Sequence, residues 1–315
     1  VVTLGLYSAW AKVRKRRYFY GHTLVDGVPF DYLADPWAIF RGWCLGAAAF
    51  IVYTIGSQVS FILGAVFGLA LFLAIPWIIV RARMFAARNS TYRNIRFTFQ
   101  PDYRQAYLVY AGLPLLLPFT LGLIFPYLVY RQKKFVVENS GFGKTPLRFS
   151  ASAGDFYRFF LKVSLGLLLL IVLFGVAAAF ISPAVGPLSD NPALLFSFLP
   201  LLVVGALLLY FFMAIYVQTG LTNLTWNATR LGEAQLVSTL RTRNMAWLYL
   251  TSAVGIVGSF GLLIPWAAVR LTRYRCQTLS VVMTGELRTL AAAQPEVGAA
   301  GEEFGDLFGV EIGLG

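Results

Sequence analysis

Four long stretches of this chain, residues 42–80, 105–130, 163–189 and 244–269, contain no charged residue at all. Ionisable groups inside a membrane are the usual mark of a proton relay or an ion-coupled carrier. Their absence removes carboxylate-coupled transport from the reading and leaves only weakly polar groups such as Thr120, Thr251 and Ser252 in those stretches. Histidine is nearly absent too: His22 stands alone, so no multi-histidine metal site can be built. It begins a hairpin and reads as a structural polar residue. Cys44 and Cys276 are the two cysteines, one in an apolar stretch and one in a basic linker, and they make no disulfide framework. The segment Gly141-Phe142-Gly143-Lys144-Thr145 ends like a phosphate-binding loop. It lacks the glycine that motif requires five residues before its Gly-Lys pair, where Glu138 stands, so nucleotide binding is not indicated. No cofactor is implied and no catalytic set can be assembled; the chain reads as non-enzymatic.

What is present is apolar residue in bulk. At 58% hydrophobic and 13% charged, the composition is far from the roughly 25% charged share of soluble domains. Several apolar runs exceed the ~18 residues that mark a membrane helix. The net charge of +12 could suggest nucleic acid, but the Lys and Arg residues flank the apolar runs. There the positive-inside bias and anionic headgroups already account for them.

One pattern occurs five times: an aromatic at the end of an apolar run, a basic position four residues on, and a tight turn twelve or thirteen residues beyond. The examples are Trp10/Arg14 with Asp26-Gly27, Trp77/Arg81 with Arg93-Asn94, Tyr127/Arg131 with Gly143-Lys144, Tyr216/Gly220 with Gly232-Glu233, and Trp266/Arg270 with Val282-Met283. The intervals alternate long and short, which implies a repeat within a repeat. In the fourth copy Gly220 replaces the basic residue, and Ile215 stands where three copies have Pro76, Pro126 and Pro265.

Charge and length then set a topology. The five basic linkers belong on the cytoplasmic side, so each apolar segment must leave and return on one face. Residues 42–80 suffice for two spans turning near Gly56-Ser57-Gln58, and residues 163–219 for two spans and an outer loop from Ser182-Pro183 to Asn191-Pro192. Segments 105–130 and 244–269 are too short for two crossings of a ~30 Å core and are expected to be re-entrant hairpins. The linkers alternate apolar and polar residues, as at Ile95, Phe97 and Phe99, and read as short β-hairpins. Asp35-Pro36, Pro101-Asp102 and Gly154-Asp155 signal the helix starts that follow. The expected fold is therefore an all-α polytopic membrane protein with internal repeats, long helical hairpins alternating with short re-entrant ones, and small cytoplasmic β-hairpins packed as a platform. Its parts are a first membrane half at 1–158, opening on the tail of a truncated span, a second at 159–290, and an acidic disordered tail at 291–315. In that tail Phe304, Leu307 and Phe308 have the spacing of a docking peptide for a protein partner.

Two functional readings remain open. In one, the basic platform binds anionic lipid or a membrane-associated protein through Arg14, Lys15, Arg16 and Arg17, while Arg14, Arg81, Arg131 and Arg270 form an inward-facing ring for an anionic ligand or headgroup. In the other, the short hairpins build a passive channel or a lipid or small-solute transporter, with Pro114, Pro118, Thr120, Ser252, Gly255 and Gly258 lining its pathway.

The run Leu6-Tyr7-Ser8-Ala9-Trp10-Ala11-Lys12-Val13-Arg14-Lys15-Arg16-Arg17-Tyr18-Phe19-Tyr20-Gly21, with Asp26-Gly27 and Phe30-Asp31-Tyr32 after it, resembles the YjgN family of bacterial inner-membrane proteins. The tail, with Phe304-Gly305-Asp306 and Ile312-Gly313-Leu314, is similar to that family's ending. The resemblance implies an inner-membrane location, with basic linkers and C-terminus cytoplasmic on the charge argument above, and it carries over no catalytic residue.

Overall fold

The computed structural model describes residues 7–185 and 192–283. The span expected at the start of the chain, part of the expected outer loop and the expected docking segment with Phe304, Leu307 and Phe308 lie outside the described residues. Two compact units are present: Val1–Ser150 with Thr229–Gln235 and Met283–Gly315, and Ala151–Ala228 with Leu236–Val282.

In the first unit α1 (Ser8–Gly21) leads into the hairpin β1 (Leu24–Val25) and β2 (Val28–Tyr32). The turn between them is Asp26-Gly27, at φ 50° and 71°. Two successive left-handed residues match the right-handed twist of paired strands, which is why Asp-Gly is suited to the position. Next come α2 (Pro36–Val59), with the Asp35 carboxylate accepting from the Trp37 amide at 3.1 Å, and α3 (Phe61–Arg88). The chain reverses between them at one extended residue, Ser60 (φ −157°), whose hydroxyl accepts from the Ile62 amide. This corrects the turn expected at Gly56-Ser57-Gln58. Gly56 serves close packing instead: a Cβ there would lie 2.7 Å from the Phe67 ring, and one at Gly64 would lie 3.0 Å from the Ser57 backbone.

After α3 come β3 (Ser90–Tyr92) and β4 (Ile95–Phe99), then α4 (Tyr103–Tyr107), a π-helical segment Leu108–Gly112, and α5 (Leu113–Leu115). The backbone turns back through Leu121-Gly122, both at positive φ, into α6 (Phe125–Glu138), β5 (Ser140–Phe142) and β6 (Thr145–Phe149). The two ends of this helical hairpin are joined by the Gln100 amide donating to the Asn139 carbonyl at 2.8 Å.

The second unit holds α7 (Ala153–Val185), α8 (Pro192–Asn227), α9 (Thr242–Gly258), α10 (Ile264–Gln277) and β9 (Leu279–Val282); the strand pair β7 (Thr229–Leu231) and β8 (Ala234–Ser238), which follows α8 in the chain, belongs to the first unit as far as Gln235. The start of α7 differs from the expected Gly154-Asp155 signal. Ser152 caps it, and Asp155 reaches back to the Ser152 amide at 2.8 Å while its own amide donates to the Ser152 hydroxyl, a reciprocal box. The α9–α10 turn runs through Phe260-Gly261, at φ 50° and 91°. Its ends are likewise joined, the Thr239 amide donating to the Thr278 carbonyl at 2.9 Å.

The fold is not all-α. The strands join in chain order, β1 to β9, into one antiparallel sheet. Hairpins β1–β2 and β3–β4 are not merely packed together: Phe30, Asp31 and Tyr32 pair with Tyr92, Thr91 and Ser90, β4 pairs with β5, and β6 pairs with β7. A lone hairpin leaves a row of unpaired N–H and C=O groups on each edge, and at β2–β3, β4–β5 and β6–β7 successive hairpins satisfy each other's facing edges. One face of the first unit's strands holds a cluster of Tyr92, Ile95 and Phe142 with Phe30, Phe97 and Leu231 around it. Four helices among the described residues are long and apolar enough to cross a membrane: Pro36–Val59, Phe61–Arg88, Ala153–Leu173 and Val203–Asn227.

Candidate functional site

The basic residues divide by what they touch. On α1, Arg16 donates to the Tyr32 hydroxyl at 3.1 Å and lies over that ring at 5.3 Å. Arg17 donates to the backbone carbonyls of Tyr32 (3.3 Å) and Ala34 (3.0 Å). Both side chains therefore fasten α1 to the end of β2, where Ala9, Val13, Tyr32 and Ala34 form a buried core. Arg14 is exposed, and Lys15, also exposed, sits 6.0 Å from the Phe19 ring. The helix carries Lys12, Arg14, Lys15, Arg16 and Arg17 and no acidic residue.

The ring positions are engaged locally. Arg81 lies over Trp77 at 5.5 Å and Arg270 over Trp266 at 5.1 Å, the cation resting on the aromatic face one helical turn away. Arg270 also donates to the Thr251 hydroxyl at 2.6 Å. Arg131 is half-buried on α6. Arg14, Arg81 and Arg131 belong to the first unit and Arg270 to the second. At Gly220 the space is already taken: Phe159 stacks on Tyr216 with centroids 5.9 Å apart, in the role an arginine has over Trp77 and Trp266.

Pro114, Pro118 and Thr120 stand on the turning side of the first helical hairpin, and Ser252, Gly255 and Gly258 on α9. The Thr120 hydroxyl is spent on its own backbone, donating to Leu116 at 3.0 Å. Pro118 and Gly258 are exposed, and a Cβ at Gly258 would meet nothing within 4 Å. Ser252 differs. It is 3% exposed and its hydroxyl has no partner.

Sequence reasoning missed three residues of the first unit. Arg83 and Lys133 follow the Arg81 and Arg131 anchors by two positions, as Arg16 follows Arg14, and that shared offset was the available signal. Tyr110 lies in the π-helical segment, a departure from α-helix that often accompanies a functional position. Its ring meets Phe135 edge-on at 5.7 Å and packs against the buried cluster of Val80, Phe99, Ala106 and Phe135. The Arg83 Nε is buried without a hydrogen-bond partner. Arg83 acts electrostatically on both Tyr110 and Lys133. Burial and, secondly, the like charge of Arg83 push the Lys133 ammonium below its ordinary range. In the second unit Arg275 donates to the Tyr249 hydroxyl at 3.0 Å, which donates to Gln218 at 3.2 Å, tying α10 through α9 to α8.

Comparison with known proteins places residues 1–307 in a match to a family described as "Bacterial protein of unknown function (DUF898)". Among curated proteins the chain is 33% identical over 130 residues to the Inner membrane protein YjgN of Salmonella typhimurium, covering 39% of this chain and 31% of that protein. It is 27% identical over 128 residues to the YjgN of Escherichia coli O157:H7, covering 40% and 32%. The matched stretch thus spans about a third of the length of these relatives. No solved structure matches.

Proposed function

This chain belongs to the DUF898 family of bacterial proteins, and we propose that it is a non-enzymatic, multi-pass inner-membrane protein whose basic, sheet-bearing side binds anionic lipid headgroups. The inner-membrane location is supported by the names of its relatives and by the four apolar helices. In this reading the two short helical hairpins enter and leave the bilayer on the sheet side. Their turns then carry Leu121, at 92% exposure, and Phe260, at 99%, into the acyl region. Bulky apolar residues in left-handed backbone are strained, and burial of their side chains in hydrocarbon offsets that strain.

The observation that carries the lipid reading is α1. It is a helix with basic and aromatic residues and no carboxylate, on which Arg14 and Lys15 face outward while Arg16 and Arg17 hold the structure. A basic segment beside a membrane is attracted to anionic headgroups, and screening by salt weakens that attraction. Arg14→Gln with Lys15→Gln is expected to lower copurifying phosphatidylglycerol several-fold at low ionic strength, with a smaller difference at high salt, while thermal stability is kept. The measurement is lipid mass spectrometry on the purified protein. Unchanged lipid content at every salt concentration would refute the reading.

The orientation has its own test. With Cys44 and Cys276 changed to Ser, single cysteines at Lys144 and Glu233, both at two-residue strand turns, should resist an impermeant thiol reagent added to intact cells and react once the cells are opened. Labelling at either position in intact cells would place the sheet outside.

A further inference from the structure

We propose that Arg83, Lys133 and the Tyr110 hydroxyl form a phosphate-binding site at the base of the first helical hairpin, where α3, α6 and the π-helical segment come together. The inference deepens the lipid reading above and rests on it for the site's depth in the membrane.

Three observations carry it. A guanidinium keeps its charge at any accessible pH, so a partly buried arginine needs acceptors or a counter-charge. Arg83 has neither: its Nε is buried and unpartnered, and the groups acting on it and on Lys133 are each other and Tyr110, with no carboxylate among them. The nearby Glu138 is turned to Lys134, 3.8 Å away. Secondly, the arrangement is built rather than incidental. Tyr110 is held edge-on by Phe135, two residues beyond Lys133, and Val80 and Met84 pack from either side of Arg83 along α3 against the same cluster. Thirdly, the donors are unbalanced. A guanidinium and an ammonium offer many N–H groups against one phenolic oxygen. A phosphate group brings the missing oxygens and the missing negative charge in one small tetrahedron.

The phosphate could come from a lipid headgroup or from solution. Arg83 sits on α3 six residues beyond Trp77, and an aromatic at a span end marks the headgroup level, so a lipid phosphate lies within its reach. In the test the full chain is placed in phosphatidylcholine nanodiscs. Thermal stability is then followed as phosphatidylglycerol is added to the bilayer, or as sodium phosphate is added to the buffer at matched ionic strength.

Saturable stabilisation by phosphatidylglycerol alone is expected for a lipid site, and by sodium phosphate as well for a site open to solution. In both cases Lys133→Gln should raise the half-saturating concentration at least tenfold. Arg83→Gln should abolish the effect, and Tyr110→Phe should weaken it several-fold. Arg83→Lys keeps the charge and guards against misfolding of the glutamine variant; it should retain partial saturation. Saturation that is unchanged by Lys133→Gln and Tyr110→Phe overturns the site. If Arg14→Gln with Lys15→Gln loses lipid while Lys133→Gln does not, this inference fails and the surface reading stands. The reverse result keeps the site and removes the surface reading.

Discussion

Asn223→Leu should destabilise the second unit by about 3 kcal/mol, because three buried polar groups lose their partner at once and each unsatisfied group costs roughly 1–3 kcal/mol. The Asn223 amide nitrogen donates to the Leu240 carbonyl at 2.8 Å. Its oxygen accepts from the Leu240 amide at 3.1 Å and from the Ser238 hydroxyl at 2.7 Å. This one side chain stands in for a missing backbone ladder where β8 ends and the chain turns toward α9. Asn227 assists by accepting from the Ser238 amide at 2.6 Å; of the bonds to Ser238 and Leu240 it holds this one where Asn223 holds three, so Asn227→Ala should open this junction less. Thermal unfolding of the detergent-solubilised protein measures both. Equal costs for the two variants, or a loss below about 0.5 kcal/mol for Asn223→Leu, would show that water replaces these bonds and that the junction is wet.

Four of the five expected strand turns were legible because two-residue turns demand backbone that few residues adopt; at the fifth, Val282-Met283, Val282 is the last residue of β9. Asp26-Gly27 and Arg93-Asn94 take positive φ at both positions, and Gly143 and Gly232 at the first. Of the helix ends before them only His22 was legible, as a structural polar residue beginning a hairpin; with it Asn89, Asn139 and Thr278, each eight residues after an anchor, bond the carbonyl four residues back, at Tyr18, Phe85, Phe135 and Tyr274. What the sequence did not disclose is non-local. The pairing of Phe30 with Tyr92 joins two hairpins across α2 and α3, and no local signal tells an edge that pairs from an edge that packs. That is why a continuous sheet was read as separate hairpins within an all-α fold. Gly56 was misread for a related reason. A glycine that breaks a helix and one that lets another helix approach are the same letter, and the Phe67 ring shows it to be the second kind. The α1 cations were visible as a run, whereas Arg83, Tyr110 and Lys133 meet only once α3, the π-helical segment and α6 have packed.

Gly220→Arg should destabilise the protein although it restores the aromatic–basic spacing of Trp77/Arg81 and Trp266/Arg270. On helix propensity alone the change is favourable by up to ~1 kcal/mol, since glycine is a poor helix residue. Packing opposes it more strongly. A Cβ at position 220 would stand 2.3 Å from the Phe159 ring, and overpacking of this kind costs roughly 1–3 kcal/mol, occasionally more. Phe159 has to leave Tyr216, giving up a stacked pair at 5.9 Å, so the net loss is expected near 2 kcal/mol. The partner that has to move can be removed. Phe159→Ala alone should also destabilise, by loss of ring burial and stacking, yet in the double variant the vacated space over Tyr216 receives the new guanidinium as Trp77 receives that of Arg81. The double variant should therefore be more stable than the sum of the single losses by roughly 1–3 kcal/mol, the range found for residues in contact. Additive losses across the cycle would mean that Phe159 swings aside without cost, and that some other feature of α8 excludes a basic residue at Gly220.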